Sequence, residues 1–329
     1  MKKVFFRTKG NQAQGWGNVL RQITLAKSLK KKYKIFFFVQ SDSKLKNFLK
    51  SLPFKVNFLP ENLSLAQEKK IINNFPNPNF TLIEMLYPKT TIQNFYKKIT
   101  KEKVIVYDDI LDGKYTSDYL ISCQGIEKKI KKINKKCRIF NDLMFYPVNN
   151  ELMRLSKKKK NIKKKINNIS ILLGGSYYGD IYYKIIKILK LNNFENIKII
   201  ASQKNFFKTK KKIKMINPKI KVYKNINNPG KFLQNSDLAI VGGGYTKVEA
   251  AIVNTPFISI SMHKHQKNLI KNFNQKLKLP NFYIHKDNVI RDLEKYVYYF
   301  KNYHNRLFFI KKLRSFMPEG TAKLKKILN

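Results

Sequence analysis

Acidic side chains are scarce in this 329-residue chain: 20 Asp and Glu stand against 68 Lys and Arg, a formal charge of +48. Arginine is scarce too, at seven residues, so the excess is nearly all lysine. Lys, Asn, Ile, Phe and Tyr, all abundant here, share codons rich in A and T, so a biased genome produces this composition whatever the function. Runs such as KKKKNIKKK at 157–165 lack the interleaved aromatics of a base-stacking platform, which argues against a specific nucleic-acid site. They read as solvated surface. The charge still attracts phosphorylated ligands and acidic lipid surfaces. Cysteine is almost missing: Cys123 and Cys137 form no C-x-x-C pair and no disulfide framework, which points to a reducing compartment. Long apolar runs are missing as well. No stretch approaches the roughly eighteen residues of a membrane span. The opening MKKVFFRTKG has only three apolar residues in a row, too few for a signal-peptide core. The expectation is a cytoplasmic protein, with peripheral contact to an anionic membrane as the one membrane association the charge allows.

What is present is an alternation of short apolar runs with longer amphipathic ones. KVFFRT (3–8), KIFFFVQ (34–40), KVNFLP, FTLIEML, KVIVYDD, DYLISC and CRIFND read as strands, with NVLRQITLAKSLKKKY (18–33) and its successors as helices between them. The second half repeats the rhythm, through NISILLGGS, NIKIIAS, KIKVYKN, DLAIVGGG and PFISIS. Several strands are apolar throughout, as in a parallel sheet covered on both faces. Residues 149–167 are nearly all polar. The pattern predicts an α/β protein of two domains, 1–150 and 168–329, joined by a Lys-rich linker at 151–167. Two open parallel sheets so joined present a cleft between the carboxyl ends of their strands. The stretch from Asp292 to Phe316 reads as helical and is free to lean back on the first domain.

Three turns share one recipe of strand, glycine, helix: GWGN (15–18), GGS (174–176) and GGGYT (242–246). Glycine lets the backbone approach a ligand closely. The following helix start offers unpaired N–H groups and the positive end of its dipole, so a diphosphate is the natural guest. Tight-turn geometry accounts for any single one of them equally well. Thr246 and Glu249 spell T-x-x-E, which reads two ways. It is a capping box, or it leaves Glu249 to accept hydrogen bonds from a ribose hydroxyl pair. His263, His265 and Gln266 fall on a loop after a strand. An H-x-H pair suits a metal, but no carboxylate or cysteine stands close in sequence, so the reading is a polar loop lining the cleft, with no metal and no cofactor. Glu84, Asp108 and Asp109 end strands where a cleft is expected, with helix or turn capping as the plain alternative for the Asp pair.

With these turns in place the chain resembles the pseudaminic-acid pathway nucleotide-sugar hydrolases, which release UDP from a diacetamido-trideoxy hexose. It is similar too to the spore-coat-polysaccharide-type proteins that share the GT-B fold of MurG-like glycosyltransferases. The resemblance spans about 4 to 325. It rests on GWGNVLR, with Gly15, Gly17 and Arg21; on YDDILDGKYTSDYLI; on GGS, with Gly174, Gly175 and Ser176; on SDLAIVGGGYTKVEA, with Gly243, Gly244, Tyr245, Thr246 and Glu249; and on His265–Gln266. It implies a GT-B architecture of two Rossmann-like domains whose parallel sheets face a cleft, the first on the sugar or acceptor side, the second holding the nucleotide. The implied partner is a UDP-sugar, with an acceptor sugar if the reaction is transfer. Two positions depart from the pattern. The histidine regarded as the water-activating base is Asn18 here, and the aspartate two residues after Arg7 is absent. Asn cannot take a proton near neutral pH, and a general base contributes about 100- to 10,000-fold. Either Glu84 or Asp109 serves instead, or hydrolysis is weak or lost. Sugar transfer from a UDP-sugar, or binding without turnover, are the alternatives. Asn18 is also a good helix N-cap.

Overall fold

The apolar runs FTLIE, LAIVG and FISIS become parallel strands buried on both faces, a setting that suits β-branched and aromatic side chains. The computed structural model describes residues 1–11, 16–50, 52–126, 130–174, 179–194, 196–201, 206–224 and 229–329. It divides into two units, Met1–Val148 with Pro318–Asn329, and Asn149–Met317.

The first unit runs β1 (Lys3–Gly10), α1 (Gly17–Leu29), β2 (Lys34–Ser41), α2 (Ser43–Leu49), β3 (Val56–Leu59), α3 (Leu65–Ile72), β4 (Phe80–Glu84), α4 (Thr90–Ile99), β5 (Lys103–Tyr107), β6 (Lys114–Tyr115), β7 (Tyr119–Ser122), β8 (Lys131–Lys132) and β9 (Arg138–Asn141). Its main sheet has the order β3-β2-β1-β4-β5-β7-β9, every pair parallel. Strands β6 and β8 form a separate parallel pair. Helix starts are marked by side chains: Asp42 accepts from Leu45 N, and Ser64 and Gln67 form a reciprocal capping box at α3. One face of the sheet carries Phe5, Phe38, Ile83 and Val106 into a core with Tyr96 and Tyr115.

The second unit runs α5 (Asn150–Ser156), β10 (Asn168–Leu172), α6 (Gly179–Leu191), β11 (Asn196–Ala201), α7 (Phe206–Ile216), β12 (Lys221–Lys224), α8 (Pro229–Gln234), β13 (Leu238–Gly242), α9 (Thr246–Ile252), β14 (Phe257–Ser261), α10 (Lys264–Lys276), β15 (Tyr283–His285), α11 (Val289–Lys301) and α12 (Tyr303–Leu313). Its sheet order is β12-β11-β10-β13-β14-β15, again all parallel.

Three expectations change. The 151–167 linker is not a solvated tether. Its start is α5, and Lys160 is drawn into the second unit, donating to the carbonyls of Gln234 (2.5 Å) and Ser236 (2.5 Å) and to Thr255 Oγ1 (3.0 Å). Buried Arg306 holds the carbonyls of Lys163 and Lys164, both at 2.7 Å. The helical stretch near the end is two helices, broken where Asn302 turns extended and caps α12 through His304 N and Asn305 N. The last helix, α13 (Gly320–Leu328), belongs with the first unit, not with 168–317. Its Leu324 and Leu328 are buried, Glu319 N donates to Met144 O (3.0 Å), and Tyr33 donates its hydroxyl to Leu328 O (3.3 Å).

Candidate functional site

Each sheet reverses its strand order once, between β1 and β4 in the first unit and between β10 and β13 in the second. Beyond the carboxyl ends of such strands the connecting loops part, and that is where open α/β sheets bind ligands. Of the described predicted site residues, Glu84 ends β4, Gly174 follows β10 and Gly243 and Gly244 follow β13, while Asp109 follows β5 and His265 and Gln266 follow β14.

In the first unit, Arg21 of α1 is 4% exposed and donates from Nε (2.9 Å) and Nη2 to Glu84 Oε1, at the end of β4. Its Nη1 donates to Asp109 Oδ2 (2.8 Å), just past β5, and the guanidinium lies 5.3 Å from the ring of Tyr107. Gln22 donates to Glu84 Oε2 (2.5 Å). The backbone N–H of Cys123 donates to Asp109 Oδ1 (2.7 Å). Burial pushes the Glu84 carboxyl up to about 7, against the opposing pull of Arg21 and Gln22. At 1% exposure, with both oxygens engaged, Glu84 cannot reach an attacking water. Its geometry is that of a carboxylate aiming Arg21, not of the general base considered for it. Asp109 keeps 11% of its side chain exposed. Its neighbour Asp108 takes the capping role: it accepts from Ile110 N (2.9 Å), Leu111 N (3.3 Å) and the Tyr115 hydroxyl (2.7 Å), holding Leu111 at φ 59°.

Asn18 is not the N-cap. Trp16 occupies that position without a side-chain cap, Gly17 starts the helix and Asn18 is its second residue. Three and four residues before Arg21 and Gln22, Asn18 lies on their face of α1. Among the described residues its side chain makes no hydrogen bond. Trp16 packs on Phe48, with centroids 5.7 Å apart. Gly15 lies outside the described residues. Arg7 is paired by Glu68 of α3 through Nε (2.6 Å) and Nη2 (2.9 Å), with Tyr96 donating to the same carboxylate (2.8 Å). Side chains alternate along β1, so Arg7 sits on the other sheet face from Thr8 and its partner in register Glu84.

In the second unit, Gly242 and Gly243 have packing reasons. A Cβ on Gly242 would strike the Leu173 carbonyl, and one on Gly243 would come within 2.8 Å of Ile270 Cδ1 and 2.9 Å of Gln266 Cβ. Gly244 differs: a Cβ there meets nothing within 4 Å, and its φ is not positive. Gly174, at φ 104°, likewise borders open space, while Gly175 and Ser176 lie outside the described residues.

The T-x-x-E capping box does not form. Tyr245 is the N-cap, in helical conformation and without a side-chain bond, and Thr246 is already the first helical residue. Glu249 therefore falls one position too deep to reach back to the helix start. Among the described residues no hydrogen bond or ion pair reaches its carboxylate, and burial pushes that carboxyl up to about 7. His265 and Gln266 lie in the first turn of α10 rather than on a loop, with His263 as N-cap. Gln266 accepts from Met262 N (2.8 Å) and so braces the helix entry against Gly243. The rings of His263 and His265 stack, centroids 5.6 Å apart. Burial holds both imidazoles below their usual range, with Lys286 adding to this at His263 and His263 adding to it at His265. Among the described residues no group of three or more His, Cys, Asp or Glu is placed to hold a metal ion.

Lys247 escaped the sequence reading. It is fully buried in α9, 5.2 Å from the Phe273 ring, and donates to the carbonyls of Gly243 (3.0 Å) and Gly244 (3.2 Å). In a trans peptide the N–H opposes the C=O, so this grip turns the Gly244 N–H away from Lys247. The signal was a lone cation inside the apolar run VGGGYTKVEAAIV, masked by lysine everywhere else.

No protein-family model matches the chain. An uncharacterized protein of Methanocaldococcus jannaschii is 25% identical over 300 residues, covering 84% of this chain and 59% of that protein. The chain thus spans less than two thirds of that relative. The spore coat polysaccharide biosynthesis protein SpsG of Bacillus subtilis is 22% identical over 276 residues, covering 80% of this chain and 78% of that protein. Among solved structures, MurG of Acinetobacter baumannii is similar at a TM-score of 0.67 and 11% identity, covering 99% of both chains. The UDP-GlcNAc 2-epimerase of Methanocaldococcus jannaschii, in complex with UDP-GlcNAc and UDP, is similar at 0.58 and 13%, also covering 99% of both. At these identities the likeness is one of fold, and the fold of this chain is GT-B, two Rossmann-like units each built on a parallel sheet.

Proposed function

We propose that this chain is a UDP-sugar-dependent enzyme of surface-polysaccharide synthesis, with the nucleotide held by the second unit. The observation that carries this reading is Glu249: a partly buried carboxylate with no protein partner among the described residues, one turn beyond a glycine with open space above it. A vicinal diol supplies the two donors such a group lacks. In this assignment the backbone at Gly243, Gly244 and Tyr245 faces the diphosphate, Thr246 orders the turn, and His265 and Gln266 flank it, with Gly174 at the end of the neighbouring strand. For the sugar, the family resemblance points to Gly15, Gly17, Asn18 and Arg21. Resemblance to SpsG and to UDP-sugar-bound GT-B structures supports the reading. The two cysteines, free and buried, suit a reducing cytoplasm.

For the reaction itself we propose departure of UDP from the anomeric carbon. Water is the acceptor if the chain is a hydrolase of a diacetamido-trideoxy hexose, and a sugar hydroxyl if it is a transferase. In either case the C1–O bond to the diphosphate breaks and the incoming oxygen gives up a proton. Of the two carboxylates considered, Asp109 is the one assigned to receive it: Cys123 N and Arg21 hold its oxygens, but its side chain keeps 11% exposure. Asn18 cannot, and Glu84 is sealed beneath Arg21. That pairing favours transfer over the hydrolysis that a histidine at Asn18 would serve. The test is release of UDP from UDP-sugars with and without candidate acceptor sugars. Release without acceptor establishes hydrolysis, and release only with acceptor establishes transfer. Failure of millimolar UDP to raise the melting temperature overturns the nucleotide reading.

A further inference from the structure

Helix α7 presents its faces the wrong way round for a helix that has only water outside it. Its Phe206, Thr209 and Ile213 are buried against the second unit. At 100° per residue, the centre of the opposite face is Lys211, with Phe207 and Met215 one turn to either side. Those two side chains are 77% and 79% exposed. Lys208, Lys210, Lys212 and Lys214 flank the stripe, and α7 contains no acidic residue. Among the described residues the one acidic contact to its lysines is Asp180 of α6, 3.9 Å from Lys212 and itself 90% exposed. Lys214 folds back onto the Pro218 carbonyl and Lys210 lies 5.8 Å from the Phe206 ring, which leaves Lys208, Lys211 and Lys212 projecting.

Two large apolar side chains about 12 Å apart on one stripe, ringed by cations, match a surface that is apolar a few ångströms below an anionic layer. We propose that α7 is a docking helix for an anionic lipid surface, Phe207 and Met215 entering the acyl boundary while the lysines meet phosphate headgroups. A second copy of this chain is a poor occupant, since lysine would face lysine. A nucleic acid would gain charge contacts but only one ring, Phe207, on which to stack. The surface lies outside both candidate nucleotide-sugar sites, so the proposal stands independently of the reaction.

The experiment is co-sedimentation of the full chain with phosphatidylcholine vesicles, with and without phosphatidylglycerol. The expected result is binding only where phosphatidylglycerol is present. Phe207→Ser with Met215→Ser, which leaves the net charge unchanged and alters only exposed positions, should weaken binding about tenfold or more. Lys208→Gln with Lys211→Gln should weaken it about fivefold per lysine. Lys31→Gln with Lys32→Gln, on the first unit, should leave it unchanged. Equal loss in the Lys31/Lys32 control, undiminished binding by the Phe207/Met215 variant, or displacement of the protein from vesicles by polyuridylate would each overturn the proposal in favour of unspecific attraction to polyanions. The melting temperature of every variant is measured alongside and should match the parent.

Discussion

At the level of single residues, Glu249 and the glycines before it separate scaffold from site. A carboxyl raised to about 7 holds its proton more tightly folded than unfolded. The stability this contributes is complete below the ordinary carboxylate range and is lost as pH rises through about 7. Glu249→Gln should therefore melt above the parent at pH 8 and converge with it in acid. The same change should weaken UDP-GlcNAc binding about tenfold or more. In the parent, affinity should fall as pH drops through about 7, and the variant should lose that dependence; UDP-GlcNAc has no phosphate group titrating there. A variant that melts lower and binds as before would make Glu249 structural. The glycines divide similarly. Gly243→Ala should cost about 1–3 kcal/mol, because Ile270 and Gln266 have to move. Gly244→Ala should leave thermal stability within about 0.5 kcal/mol of the parent and abolish nucleotide binding, read by calorimetry, since only a ligand needs that space.

Among the elements, α1 ties two strand ends together through one side chain. Arg21 reaches the ends of β4 and β5 at once, and its two carboxylate partners are inaccessible or nearly so. Arg21→Met leaves those charges unpaired and should cost about 3–5 kcal/mol in urea unfolding. Adding Glu84→Gln should recover part of the loss. If it recovers none, the Arg21–Asp109 pair carries the cost alone. Asn18→His, one turn earlier on the same face, asks a separate question. An increase in acceptor-free UDP release would mean that only the base is missing from an otherwise hydrolytic site.

For the molecule as a whole, the two units differ in how the chain completes them. The first needs its sheet and a helix from the far end of the sequence. Gly320 lets α13 lie so close to the Phe145 carbonyl that an added Cβ would strike it. Gly320→Ala is therefore expected to lower the first unit's stability by about 1–3 kcal/mol, followed by hydrogen exchange at β1 and α1, with β13 and α9 unchanged. Among the described residues no helix is long and apolar enough to cross a membrane.

The GT-B architecture was legible in the sequence because its signals are local. Fully apolar runs of five or six residues, each followed by an amphipathic helix, specify a covered parallel sheet wherever the chain places it. The glycine turn at 242–246 was legible for the same reason, as a strand end meeting a helix start. The break at Asn302 is a capping event that periodicity passes over. What only the tertiary structure decided is which charges pair. Glu68 pairs with Arg7 from 61 positions away, Arg21 took both acids proposed as bases, and Lys160 and Lys247 left the crowd of solvated lysines to bind carbonyls inside the second unit. A buried charge has to find a partner. The partner is set by which side chains the fold brings within 3 Å or so, a distance that has no counterpart along the chain.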